Sequence, residues 1–528
     1  MLCCLTPAWT HAQGTAVKLN GPLVDGGDVS RHFLSPNSDR VLYTADQNEN
    51  GVSELYSVPI SGGLPIQLTG PLSGDRDVRS DVRITPDGSH AVFLGDLEID
   101  GVTELFSVPI DGGPVIKLND PLPAGGNINS FDITPDSSRV IYSGEQTSNG
   151  LNELFSVPVA GGTVTRLNDP LTGGDRVLFN RVISPDSSTV IFIADQNGDR
   201  VDELYAVPVA GGVVTKLNGP LVDGGDVSGA DIGISADGST VIYVADQDVV
   251  GVEELYSVPI IGGVSTKISG PLASDRRVFN FQIGADSRRV VYLADQDTNG
   301  LSELFSVPIG GGAVTKLSDP EAGDLFDYLI AASGAVVVYT SNNAADALFS
   351  VPVVGGPVTQ LSAPLDEGEA VGGFELSADT NTVVYTALPA GDVSNQAAGA
   401  KGRGPVPTAL FSVPVMGGLA IRLTEPFFEG GSVPTFVISN DGDLVVYQAN
   451  QDDVQVFELF GVPTRGGTAV KLSAPLIIGG NVRNPIISLD SSRITYLADQ
   501  DIDGANELFS LNRGGLGRLV PLFSDGFE

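Results

Sequence analysis

A length of 528 residues would by itself allow three or four domains. A hydrophobic share of 41% excludes a disordered chain, and 66 glycines with 34 prolines exclude an architecture of long helices. With 65 acidic against 28 basic side chains the net charge is −37, which repels polyphosphate and excludes nucleic acid as a partner.

In chain order, the start MLCCLTPAWTHAQG has a short apolar run and a small-residue end at Ala12. It reads as the later part of a secretory signal whose basic beginning is missing, so residues 1–13 are expected to be a leader and the protein periplasmic or extracellular. Cys3 and Cys4 fall inside that leader, so the mature chain is expected to hold no disulfide. No later segment reaches 18 uninterrupted apolar residues, and no transmembrane segment is expected.

From AVKLN (Ala16 to Asn20) onward the chain is one unit written ten times. The phrase ELFSVP or a close relative ends at Pro59, Pro109, Pro158, Pro208, Pro259, Pro308, Pro352, Pro414 and Pro463, and a tenth version, ELFSLN, ends at Asn512. The steps are mostly 49 to 51 residues, with one of 44 and one of 62. The long step holds a loop-like insert, residues 388–407, in which Lys401 and Arg403 form the one basic spot and a candidate partner contact.

Within the second unit the pieces are VRITPDG (Val82 to Gly88), HAVFLGD (His90 to Asp96), ELFSVPI (Glu104 to Ile110) and, after Gly112-Gly113, PVIKLN (Pro114 to Asn119). Short runs rich in Val, Ile, Phe and Tyr between Pro-Asp-Gly and Gly-Gly turns are strand and hairpin signals. In the third run Leu105 points one way while Phe106, Val108 and Ile110 point the other, so both faces need cover. Packing such four-stranded sheets face to face around an axis provides it. The predicted fold is therefore all-β, a β-propeller of about ten four-stranded blades over residues 14–520, as one large ring rather than two smaller propellers. The chain begins on a fourth strand and ends, at Glu507 to Asn512, on a third. Ring closure by the N-terminal strand follows, with GRLVPL (Gly517 to Leu522) as the competing closure and residues 521–528 as a tail.

The stretch ITPDGSHAVFLGD…GVTELFSVPIDGGPVIKLN resembles the WD40-like repeats of the TolB type, also called PD40, which occur too in propeller domains of prolyl-oligopeptidase relatives. The resemblance covers about residues 16 to 520 and implies architecture more than activity. TolB is a periplasmic protein with a separate N-terminal α/β domain. That domain has no counterpart here, so its envelope role is not carried over.

The hairpin between the second and third strands is spelled like a calcium loop, with oxygen-bearing residues at alternate positions, a glycine, and an acid at position nine. The best copies are Asp295, Asp297, Asn299 and Glu303; Asp499, Asp501, Asp503 and Glu507; and Asp46, Asn48, Asn50 and Glu54. Asp96, Glu98, Asp100 and Glu104 form a more crowded copy, and in Asp195, Asn197, Asp199 and Glu203 Arg200 replaces the glycine. The fifth and ninth units put Val250 and Val454 at position five, the third starts on Glu145, and the seventh and eighth lose the loop. Calcium and a plain structural hairpin are both open readings.

Catalytic patterns are sparse. There is no G-x-S-x-G elbow, the only histidines are His11, His32 and His90, and the only tryptophan is Trp9. His32 and His90 are expected at the surface. The Asp of the S/T-P-D turns (Asp87, Asp136, Asp186), and Asp441 in the equivalent Ser-Asn-Asp turn, is expected to bond its own backbone. The function expected is a non-catalytic binding or scaffold module, monomeric, taking a protein or an envelope glycan through the propeller face. A carbohydrate-active hydrolase or lyase at the channel mouth is the alternative, and would need acids there that depart from the repeat. A structural surface protein is the third.

Overall fold

In the computed structural model of the chain, the described residues are 16–172, 175–319, 323–342, 347–363, 370–388, 409–425 and 430–516. The leader, nearly all of the insert and the C-terminal tail with its competing closing strand lie outside them.

Each unit folds into one antiparallel sheet in strand order one-two-three-four, and there are ten such sheets. Blade 1 is Val29–Leu34, Arg40–Ala45, Glu54–Pro59 and Ile66–Gln67. The second and third strands pair residue for residue, Arg40 opposite Pro59 through Ala45 opposite Glu54. The proline thus ends the third strand, where a missing N–H removes no interior ladder bond. Gly112 and Gly113, at φ of 90° and 154°, make the turn into the fourth strand of blade 2 in a backbone region that L side chains rarely adopt. That fourth strand is only two residues long, Ile116–Lys117.

Opposite each other on the second and third strands sit two aromatic rings, one pair per blade. Tyr43 stacks on Tyr56 with centroids 5.2 Å apart, Tyr292 on Phe305 at 5.5 Å and Tyr496 on Phe509 at 5.6 Å. Each such pair adds about 0.5–1.5 kcal/mol beyond burial.

The apolar core is a ring of inter-blade clusters. Leu105 packs with Val140 and Phe155 of blade 3, while Phe106, Val108 and Ile110 pack with Leu42 and Leu55 of blade 1. The two faces of one strand are therefore divided between two neighbours, as its alternation requires. The ring closes where Leu497 and Leu508 of blade 10 join Val29, Val41 and Tyr43 of blade 1. Blade 10 is Val482–Ile487, Arg493–Ala498 and Glu507–Asn512, completed by Val17–Lys18 from the N-terminus. Val17 pairs with Ser510 and Lys18 with Phe509, so the N-terminal strand is the closing one and the fold is a single ten-bladed ring.

Candidate functional site: the loop face and the channel wall

The turns divide between two faces. Ile60 N–H donates to Asp39 O, placing the S/T-P-D and Gly-Gly turns together, whereas Asp46 N–H donates to Asp28 O, placing the second hairpin and the inter-blade crossovers on the other side. The S/T-P-D aspartates do bond their own turns: Ser138 N–H donates to Asp136 Oδ1 at 3.0 Å and Ser188 N–H to Asp186 Oδ1 at 3.0 Å. Hydrogen bonds from Thr134 and Ser184 hold these two carboxyls below the usual carboxylate range.

On the loop face the calcium-spelled residues are already engaged. Buried Asp295 accepts the Arg277 N–H at 2.7 Å on one oxygen and the Gly300 N–H at 3.3 Å on the other. Asp297 lies 3.3 Å from the Lys316 ammonium. Asn299 donates to Asp275. Glu303, also buried, takes the same lysine on one oxygen at 2.5 Å and the N–H groups of Asp297 and Thr298 on the other, at 3.0 and 3.1 Å. In blade 10, Asp499 caps the Asn481 N–H, Lys18 reaches both Glu507 and Asp501, and Asp503 is exposed. In blade 1, Asp46 caps Asp28 and Gly51. Glu54 accepts from Gln67 at 2.8 Å, Asn48 at 2.6 Å and the Tyr56 hydroxyl at 2.5 Å, and Asn50 is exposed at the tip.

The fourth-strand lysine therefore holds the position-nine glutamate, as Lys117 does for Glu104 and Lys471 for Glu458. In this arrangement those oxygens are taken up by ammonium and N–H groups, whereas a calcium ion needs six to eight oxygens free to coordinate it. Among the described residues no group of three or more His, Cys, Asp or Glu side chains is arranged to hold a metal ion. Arg200, at the loop's glycine position, sits at φ 67° and keeps the same turn at the cost of strain.

The first strands line the channel and contact one another from blade to blade. One position on them, opposite the second-strand aromatic, is apolar in most blades, as with Phe131, Phe281, Tyr328 and Phe374. Two blades break this. His32 is buried, with its imidazole Nε2 3.1 Å from Thr495 Oγ1, so it is not the surface residue expected. Burial pushes it down to about 4. His90 is partly exposed, beside Ser89 Oγ at 2.8 Å.

Arg181 is the second exception. Its Nε lies 2.8 Å from Asp132 Oδ2, while Arg83 reaches Asp132 Oδ1 at 2.5 Å, so one carboxylate bridges two arginines across blades 2, 3 and 4. The Arg181 contact is ionic rather than a well-directed hydrogen bond, because that Nε–H has no acceptor in line. Further around the wall Asp231, Asp327 and Glu375 are carboxyls raised by burial. Asp231 and Asp327 immediately precede the position opposite the aromatic in blades 5 and 7, and Glu375 immediately follows it in blade 8. Aligning the first strands by their partners on the second would have exposed all of these positions.

The fold and the wall define a closed ten-bladed propeller. No protein-family model and no curated protein matches the chain. Similar solved structures include a protein assigned as TolB from Agrobacterium tumefaciens, at 19% identity over 47% of this chain and 83% of that one, with a TM-score of 0.29. An oligogalacturonate lyase from Vibrio parahaemolyticus is 14% identical over 73% and 96%, TM-score 0.33. A eukaryotic initiation factor is 11% identical over 78% and 92%, TM-score 0.46. Likeness at this level carries no function across. Among the described residues no helix is long and apolar enough to cross a membrane.

Proposed function

We propose that this chain is an exported, non-catalytic propeller that serves as a binding or scaffold module, presenting its loop face and channel to a protein or an envelope glycan. The observation that carries the reading is the way the repeat spends its loop-face carboxylates. Glu303, Glu507 and Glu104 are held by Lys316, Lys18 and Lys117 within their own blades, which makes a rigid face rather than a reactive one. A rigid, acidic surface discriminates partners by complementary charge. Calcium at the hairpin tips is a secondary proposal, and it would require those lysines to release the glutamates.

The second reading, a carbohydrate-active hydrolase or lyase, is favoured by one observation, the burial-raised carboxyls Asp231, Asp327 and Glu375 on the wall. Titration of the full chain against purified envelope glycans and envelope proteins, followed by product analysis, separates the two. Saturable binding without product supports the module. Product formation that is lost in Asp327→Asn or Glu375→Gln overturns it.

A further inference from the structure

Six blade junctions share one device on the loop face. The residue just before the first strand's leading apolar residue is Asp or Asn, and its side chain accepts the backbone N–H of the residue immediately before the Glu-Leu of the preceding third strand. Asp77 thus accepts from Ser53 at 2.6 Å, Asn127 from Thr103 at 2.8 Å, Asp226 from Asp202 at 2.8 Å, Asp324 from Ser302 at 2.9 Å, Asn481 from Phe457 at 2.9 Å and Asp28 from Asn506 at 2.6 Å. Between blades 5 and 6 the same two positions are Arg277 and Glu253, and an arginine side chain has no acceptor to give.

The break opens a pocket of about 270 Å³, near the lower end of small-ligand sites, lined by Ser228, Asp231, Glu253, Arg277 and Phe279. The Arg277 guanidinium lies over the Phe279 ring at 5.2 Å and forms no ion pair with another described residue. Neither Asp231 nor Glu253 has a hydrogen-bonding or cationic side-chain partner among the described residues, whereas the third-strand glutamates beside them are held by lysines. At the equivalent blade 3–4 junction an arginine also replaces the cap, but there Arg176 is spent on Asp202 at 2.6 Å and Asn152 on Val177 O at 2.8 Å. Among the described junctions, only that of blades 5 and 6 leaves the replacing charges unspent around a hollow. Burial already raises the Asp231 carboxyl, a cost that an arriving cation would relieve.

We propose that the blade 5–6 junction binds a small zwitterion of net positive charge, a basic α-amino acid, with its carboxylate on Arg277 and its two cationic groups on Asp231 and Glu253. The pocket's two carboxylates and one guanidinium are the charge complement of such a ligand, and Phe279 offers a flat apolar wall for its methylene chain. The inference stands apart from the scaffold reading, because it concerns one junction and a free metabolite.

The test is calorimetric titration of the full chain with L-lysine, L-norleucine and cadaverine. Lysine is expected to bind, and norleucine and cadaverine, each lacking one ionic contact, to bind about tenfold more weakly or not at all. Asp231→Asn is expected to lose about tenfold in lysine affinity. Arg277→Asp restores the cap that six other junctions carry, so it is expected to unfold no earlier than the parent while losing lysine binding. Absence of lysine binding at about 10 mM, equal binding of norleucine, or full lysine affinity in Arg277→Asp overturns the proposal. Glycan or protein binding by the loop face is read separately and does not depend on these outcomes.

Discussion

The Asp490 amide donates to the Ser38 hydroxyl at 3.3 Å, and this bond ties the tenth blade to the first. The same latch joins Asp87 to Ser137, Asp136 to Ser187, Asp237 to Ser287 and Asp441 to Ser491, each at 2.9 to 3.1 Å. The donor is the aspartate of one turn, and the acceptor is a serine at positive φ in the next. Closure thus repeats the ordinary inter-blade contact, with Val17–Lys18 adding the strand that blade 10 lacks. Removing residues 1–20 is expected to bare the Glu507–Asn512 edge and leave the Leu508 N–H without the Asn20 acceptor now 2.8 Å away. Light scattering after size exclusion should show oligomers formed through that edge, and thermal unfolding should occur several degrees lower. A monomer with an unchanged midpoint would mean that the closing strand is dispensable.

Lys316 stands where a cation is needed, between Glu303 and Asp297. Lys316→Met leaves a buried glutamate with two backbone N–H partners and the Thr298 hydroxyl at 3.4 Å, none of them charged. The pair is partly open to solvent on the lysine side, so the loss is expected at about 2 kcal/mol, below the range for fully buried pairs. Urea unfolding measures it. The lysine-held arrangement also predicts that calcium followed by a chelator leaves the parent midpoint unchanged, and a shift of several degrees would establish the metal reading instead.

The ten-fold repetition of ELFSVP made the blades legible, and the strand-four start of the chain made its closure legible. Less visible was the Glu–Lys pair, although both residues recur thirteen apart in five of the ten units, as in Glu303 and Lys316. The two-residue fourth strand is too short to show a periodicity, so its lysine reads as an unattached charge. The calcium spelling drew on spacing within one loop, while the physical partner comes from the adjacent strand. His32 and Arg181 were illegible for a different reason. Bulges in first strands, such as that between Val29 and Arg31, shift the register, so the buried position emerges only once the pairing with Tyr43 or Phe192 is known. The break at Arg277 and Glu253 likewise means little until the cap it replaces has been seen at other junctions.

His32 gives the fold a pH dependence of definite sign. Its ordinary value is 6.5, and in the native state it lies at about 4, so it stays neutral there. The unfolded chain takes up that proton first as pH falls. This contribution is therefore fully present above pH 6.5 and is lost between there and about 4, up to roughly 3 kcal/mol. His32→Phe, which installs the residue found at Phe131 and Phe281, is expected to remove this component of the acid limb. Unfolding midpoints of the two proteins between pH 4 and 8 provide the comparison, and parallel curves would exclude His32 as the source.

Asp132 and Arg181 should respond unequally to replacement. Arg181 sits in an otherwise apolar ring position with its side chain 2% exposed, and Arg83, at 44%, can keep Asp132 company from the solvent side. Asp132→Asn strands a buried guanidinium with only Ser130 and Ser143 as neutral partners, so a loss of about 3–5 kcal/mol is expected. Arg181→Met fills the position with an apolar side chain and leaves the exposed Arg83–Asp132 pair intact, so stability is expected to hold or rise by about 1 kcal/mol. Urea midpoints decide the matter. If Arg181→Met costs as much as Asp132→Asn, the arginine is a stabilising element of the wall. If the asymmetry holds, the cluster persists at this position for something other than stability, and the same Arg181→Met protein, intact in fold, becomes the reagent for testing whether partners dock at the channel.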